Sequence, residues 1–213
     1  MSTDIAQIRR DYSLQSLDIQ DVDKNPLHQF DKWLQEAIKS ELPEPTAMHL
    51  ATVSAEGKPS GRIVLLKGAD NQGLVFFTNY TSAKGNDMQS NANVALTFFW
   101  AELERQVRIE GVIEKVPENE SLTYFQSRPR ASQIGALASP QSKKIEDRAW
   151  LEQKFATLEK ELADKAIPKP EHWGGYRVIP QYFEFWQGRR SRLHDRIVYE
   201  KQADDWEIYR IAP

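Results

Sequence analysis

The chain contains no cysteine, which removes disulfides and every thiolate-based metal site at once. Its four histidines, His28, His49, His172 and His194, show none of the close spacings, such as HExxH, that seat a metal, so no metal is expected. No apolar run approaches the roughly 20 residues needed to span a bilayer, and the opening MSTDIAQIRRDYSLQSLDIQDVDKN carries no apolar signal core. The expectation is a soluble, unprocessed, cytoplasmic protein with no membrane partner. None of the ten glycines falls in GxGxxG or GxxxxGK, so dinucleotide and P-loop folds are disfavoured and any phosphate must be held by side chains and helix ends. There is no GxSxG elbow, which argues against an acyl-transfer hydrolase. An excess of positive charge is missing too: 31 Asp and Glu stand against 28 Lys and Arg, a net charge of −3. Nucleic-acid binding rests on broad phosphate neutralisation, so no nucleic-acid partner is expected and any anion site must be local.

What is present is enough for one substantial core: 213 residues, 40% of them apolar. A polar arm over 1–24, expected to be partly mobile, precedes a single domain over 25–213. Asn25 and Pro26 read as the cap and first residue of a helix, with Leu27, Phe30, Leu34, Ala37 and Ile38 at helical spacing and Pro43 and Pro45 stopping it. From Thr46 to Val116 short β-rich runs alternate with turn signals such as AEGKPSG and GADNQG, the pattern of an antiparallel meander or barrel. The polar stretch YTSAKGNDMQSNAN interrupts it as a loop and short helix. Pro117 and Pro129 open two further short helices, and Leu151, Phe155, Leu158 and Leu162 form the stripe of a packed surface helix. YRVIPQYFEFWQG and RIVYEKQADDWEIYRIAP read as strands, the latter with a hairpin turn near Gln202 to Asp205. The fold class predicted is mainly β with flanking helices, an α+β arrangement.

Three stretches carry candidate chemistry, each with an ordinary structural reading beside it. In YFQSRPRASQIG, Tyr124, Arg128 and Ser132 are four apart and Pro129 suits a helix start, where free N–H groups, the helix dipole and a bidentate guanidinium favour a phosphate. The plainer reading is a helix cap with a solvated arginine. Arg62 and Lys67 bracket the apolar IVLL, with Lys84 in a loop beyond the next strand; charges there also simply mark a strand's exit into solvent. Gln106 in a predicted strand is bland by itself. FWQGRRSRLHDR gathers Trp186, Arg189, Arg190, Arg192, His194 and Arg196. If extended, it puts Arg192, His194 and Arg196 on one face, suited to a ring-bearing, doubly negative ligand. The alternative is a basic strand edge that blocks aggregation. Two anion sites call for two phosphates, or for one phosphate and one polar ring.

Taken together, RIVLLK, ERQVRIEG, YFQSRPRASQIG, the pair Gln141 and Ser142, WGGYRV and EFWQGRRSRLHDR resemble the pyridoxine/pyridoxamine 5'-phosphate oxidase family, from about Arg9 to Pro213. The resemblance implies a Greek-key, FMN-binding split β-barrel acting as a homodimer with the flavin between subunits. It implies oxidation of pyridoxine 5'-phosphate and pyridoxamine 5'-phosphate to pyridoxal 5'-phosphate, the vitamin B6 salvage reaction, with O2 reduced to H2O2. By motif, Arg62, Lys84 and Ser142 fall around FMN, chiefly its phosphate. The backbone from Arg62 through Ile63, Val64, Leu65 and Leu66 to Lys67, with Phe77, Thr78, Gln106, Gln141, Trp186 and Arg196, also lines the flavin. Lys67, Tyr124, Arg128 and Ser132 match the substrate-phosphate pocket. Arg192 and His194 match the catalytic pair that closes over the pyridine ring, and the segment from Arg9 to Tyr12 resembles one that covers the site. Arg189 and Arg190 fall in a variable part of the motif and take no role. One position departs from the pattern: many members have arginine before the flavin-loop lysine, where this chain has Ala83. A charge-assisted hydrogen bond is worth about 1.5–3 kcal/mol, so weaker FMN retention is expected, by up to about a hundredfold.

Under that resemblance a hydride passes from the substrate C4' carbon to flavin N5, and positioning dominates. Two other readings stand beside it: a split-barrel FMN oxidoreductase of another substrate, and a non-catalytic binder of FMN or pyridoxal 5'-phosphate. The former leaves SRPRASQIG and RLHDR together unexplained.

Overall fold

The computed structural model describes residues 11–213. Arg9 and the start of the arm lie outside the described residues. In chain order the elements are α1 Pro26–Lys39, β1 Ala47–Val53, β2 Pro59–Leu65, β3 Gly68–Asp70, β4 Gly73–Asn79, α2 Ala83–Ser90, β5 Asn93–Trp100, β6 Arg105–Lys115, α3 Glu118–Ser127, α4 Arg130–Ala138, α5 Arg148–Glu161, β7 Trp173–Gln187, β8 Asp195–Gln202 and β9 Asp205–Arg210. Hydrogen-bonded neighbours follow the order β2-β1-β5-β6-β7-β4-β3, with β8 on β7 and β9 on β8. The β3–β4, β4–β7, β7–β8 and β8–β9 pairs are antiparallel. The mainly β architecture with flanking helices is the one expected. No helix among the described residues is long and apolar enough to cross a membrane.

The chain divides into two compact units. The first comprises Met1–His49, Ala95–Gly111 and Pro180–Pro213. Its α1 starts as the sequence predicts, with the Asn25 side chain accepting from the Leu27 N–H and Pro26 at the first helical position. The helix buries Phe30, Trp33, Leu34 and Ala37. Phe30 meets Phe98 at 5.0 Å between ring centroids, and Trp33 meets Phe185 edge-on at 5.2 Å. The stretch from Ser13 to Asp23 is tied to this unit. Glu104 accepts from the Ser13 and Leu14 N–H groups at 2.7 and 3.0 Å, Asp195 accepts from the Leu17 N–H at 3.1 Å, and the Tyr199 hydroxyl donates to the Asp23 carbonyl at 2.6 Å.

The second unit comprises Leu50–Val94 and Val112–Ile179. The segment GADNQG, expected as a plain turn, contributes β3, paired Gly68↔Val75 through Asp70↔Gly73. Gly73 has φ +139, and a Cβ there would sit 2.1 Å from the Val178 carbonyl oxygen, so only glycine closes this hairpin against β7. Phe125, Ile134, Ile167 and Trp173 form a buried cluster covered by half-exposed Phe155, Leu158 and Leu162. The predicted stripe of α5 thus packs from the surface, and no residue of that helix is itself fully buried.

Candidate functional site

The predicted site residues fall into two groups, one in each unit. In the second unit, a cavity of ≈ 340 Å³ is lined by Arg62, Ile63, Val64, Leu65 and Lys67 from β2 and its exit, Phe77 and Thr78 from β4, Lys84 from α2, Tyr124 at the end of α3, then Arg128 and Gln141. Residues as distant in the chain as Arg62 and Gln141 thereby share one concavity. An adjoining cavity of ≈ 280 Å³ shares Arg128 and Gln141 and adds Ser132. Pro129 caps α4 rather than opening it, and Arg130 is its first residue. Leu66 is buried, its side chain turned into the core. Ser142 follows Gln141 in a left-handed backbone conformation, φ 66, and is exposed.

Four cations, Arg62, Lys67, Lys84 and Arg128, line the first cavity, and no carboxylate does so among the described residues. Lys84 donates to the Gln141 Oε1 at 3.0 Å and to the Thr78 hydroxyl at 3.3 Å. Its pKa is held below the ordinary lysine value by burial first and by the Arg62 charge second. Burial likewise lowers the pKa values of Arg62 and Arg128. The Nη1 of Arg128 is buried and has no hydrogen-bond partner among the described residues. A buried guanidinium nitrogen left unpaired is costly, and an anionic oxygen in the cavity removes that cost.

Two residues that the sequence reading did not single out complete the wall: Asn79 and Trp173. Tyr124 stacks on Phe77 at 3.9 Å, Trp173 stacks on Phe77 at 5.5 Å, and the Arg128 guanidinium lies 4.7 Å from the Trp173 ring. The three rings make a flat apolar panel beside the cations. The only local signal was WGGYRV, where Gly174 and Gly175 admit close neighbours: a Cβ at Gly174 would meet the Tyr80 hydroxyl at 2.1 Å.

In the first unit, Tyr12, Trp186 and His194 form a ring cluster, with His194 4.6 Å from Trp186 and Tyr12 edge-on to Trp186 at 5.7 Å. The His194 Nδ1 accepts the Arg189 backbone N–H at 3.1 Å, so the neutral ring carries its proton at Nε2. Its pKa is lowered by burial, then by Arg192, with Asp195 opposing. The conditional picture of Arg192, His194 and Arg196 alternating on one strand is corrected here. Arg190–Arg192 form a 3-10 turn, β8 begins only at Asp195, and Ser191 and Arg192 both take left-handed backbone with φ of 58 and 62. Charge pairing explains much of the basic run. Arg189 meets Asp195 at 3.2 Å, while Arg196 is bidentate on the buried Glu184 at 2.7 and 2.9 Å and gives its remaining arm to the Ala212 carbonyl. Arg192 is exposed and has no carboxylate partner among the described residues. Gln106 lies on β6 between buried Arg105 and Val107, pointing to the opposite strand face.

The family described as "Pyridoxamine 5'-phosphate oxidase" matches residues 34–161, and the "Pyridoxine 5'-phosphate oxidase C-terminal dimerisation region" matches residues 173–213. The pyridoxine/pyridoxamine 5'-phosphate oxidase of Acaryochloris marina (strain MBIC 11017) is 54% identical over 211 residues, 99% of this chain and 96% of that one. Among solved structures, PhzG from Burkholderia lata 383 in complex with tetrahydrophenazine-1-carboxylic acid is 28% identical with a TM-score of 0.90, over 96% of this chain and 100% of that one. A pyridoxamine 5'-phosphate oxidase-related, FMN-binding protein from Nostoc punctiforme PCC 73102 is 17% identical with a TM-score of 0.71, covering 89% of this chain and 98% of its own, a likeness of fold.

Proposed function

Since this chain belongs to the pyridoxamine 5'-phosphate oxidase family, we propose that it oxidises pyridoxine 5'-phosphate and pyridoxamine 5'-phosphate to pyridoxal 5'-phosphate with FMN and O2, releasing H2O2. The observation that carries the reading is the cavity itself: four cations, a flat aromatic panel and an unpaired buried Arg128 nitrogen, without a lining carboxylate among the described residues. That donor set fits phosphate monoesters of ring compounds, the chemistry of both the proposed cofactor and the proposed substrates.

Arg62 and Lys84, with Thr78, Gln141 and Ser142, would hold the phosphate end of FMN, and the β2 backbone with Phe77 would line the ring. FMN, when bound, supplies the hydride acceptor for the C4' carbon and the route for electrons to O2. Lys67, Tyr124, Arg128 and Ser132 clamp the substrate phosphate. Their binding energy, remote from C4', holds the ring in register for transfer. In the first unit, Arg192 and His194 orient the C4' amine or alcohol, His194 as a donor through Nε2–H. Tyr12, packed on Trp186 and His194, contributes a cover that excludes water. The arm and domain limits, 1–24 and 25–213, stand as part of the same proposal, as does a homodimer with FMN at the subunit interface.

The test is the absorbance of FMN-loaded protein under anaerobic conditions before and after each substrate. Bleaching of the flavin band is the expected result. An unchanged spectrum with both phosphates, flavin demonstrably bound, turns the assignment toward another substrate or a non-catalytic binder.

A further inference from the structure

We propose that Asp87 is a positioning residue for Arg62: its carboxylate polarises the Thr52 and Ser60 hydroxyls so that their lone pairs hold the guanidinium at the cavity wall. The inference rests on reading that cavity as the site of the FMN phosphate. Lys84 and Asp87 are three apart on α2 and so share a side of the helix. Lys84 lines the cavity and Asp87 does not. Asp87 instead reaches Thr52 on β1 and Ser60 on β2, two residues from Arg62 and on the same strand face.

The hydrogen bonds determine the polarity. The Thr52 hydroxyl lies 2.6 Å from Asp87 Oδ2 and the Ser60 hydroxyl 3.1 Å from the same oxygen. An ionised carboxylate only accepts, so each hydroxyl spends its single proton on it. Both hydroxyls must then accept from Arg62, whose Nη1 is 2.7 Å from Thr52 and whose Nη2 is 2.5 Å from Ser60. The Leu50 carbonyl takes a further bond from Nη1 at 3.2 Å. Asp87 and Arg62 themselves form an ion pair at 3.7 Å, too long for a direct hydrogen bond, so beyond the attraction of the two charges the carboxylate acts through the hydroxyls. Both charged side chains are mostly buried, with 15% and 20% exposure, which leaves little water to take over either set of bonds. Without Asp87 the hydroxyl protons lose their common acceptor, and the hydroxyls, 3.2 Å apart, are free to rotate and donate to each other, so their lone pairs are no longer fixed toward Arg62. One short helix thus sets two cations of the cavity, Lys84 directly and Arg62 at one remove.

The test is a double-mutant cycle on FMN affinity, read by quenching of flavin fluorescence on the cofactor-free chain: wild type, Asp87→Ala, Arg62→Ala and both together. Each single change is expected to weaken FMN by about tenfold, and the double variant to bind no worse than Arg62→Ala alone. Losses that multiply overturn the inference, because Asp87 then acts independently of Arg62. Should Asp87→Ala lose its cooperative melting transition, Thr52→Val carries the same cycle against Arg62→Ala with the same two outcomes. A wild-type chain that binds no FMN overturns the reading of the cavity itself, a result distinct from an additive cycle.

Discussion

At the scale of single residues, charge is assigned by partners rather than by number. Arg196 spends its fork on Glu184, Arg189 pairs with Asp195, and Arg128 keeps a buried nitrogen unpaired among the described residues. Under the proposed function, removing Arg128 deletes a phosphate contact rather than an ion pair with a carboxylate. Arg128→Ala is expected to raise KM by about tenfold or more with a smaller change in kcat, measured by steady-state kinetics; an unchanged KM removes it from the clamp. His194 is different, because its Nδ1 is occupied by the Arg189 N–H and its depressed pKa keeps it neutral until the pH falls below the usual 6.5. Activity that depends on the neutral ring holds above that pH and declines as acid protonates it. His194→Asn retains a donor, so a partial loss of kcat is expected, with this acid limb gone from the pH profile. Ala83 opens α2 from an exposed position directly before Lys84. Ala83→Arg is expected to tighten FMN by about tenfold; an unchanged affinity in the same fluorescence titration shows the cavity needs no further guanidinium.

At the scale of elements, the segment around Gly188 governs how the arm meets the ring cluster. The Gly188 N–H donates to the Glu104 carbonyl at 2.7 Å, and a Cβ there would lie 2.8 Å from Tyr12 and 3.0 Å from Glu104. Gly188→Ala must push Tyr12 off Trp186. The expected cost is about 1–3 kcal/mol of stability, seen as a lower melting temperature, together with a changed Trp186 emission; a variant with wild-type melting and emission shows that the arm gives way without cost. α1 was legible in advance because Asn25 and Pro26 are local signals and its apolar spacing matches one helical turn. The turn at Arg190–Arg192 was not, since two successive left-handed residues, neither of them glycine, have no sequence signature.

At the scale of the whole molecule, the match of residues 173–213 to a dimerisation region makes assembly part of the proposed function. If FMN lies between subunits, cofactor binding and dimerisation are linked, and each strengthens the other. Dilution is expected to release flavin in step with dissociation, followed by sedimentation with detection at the flavin band. A monomer that retains its flavin places the whole cofactor site within one chain.

Local order and chemical class were determined by the sequence alone. The proline-bounded helices, the alternating strands, the absence of nucleotide-binding glycines and the long motifs around Arg128 and Arg192 carried both the fold class and the phosphate chemistry. Tertiary structure decided which charges are available. Glu184 cancels Arg196 from twelve residues away, Asp87 reaches Arg62 only because α2 folds over β1 and β2, and Trp173 joins Phe77 and Tyr124 only because β7 pairs with β4. Those partners are distant in the chain, and pairing depends on distance in space, which no window of sequence contains.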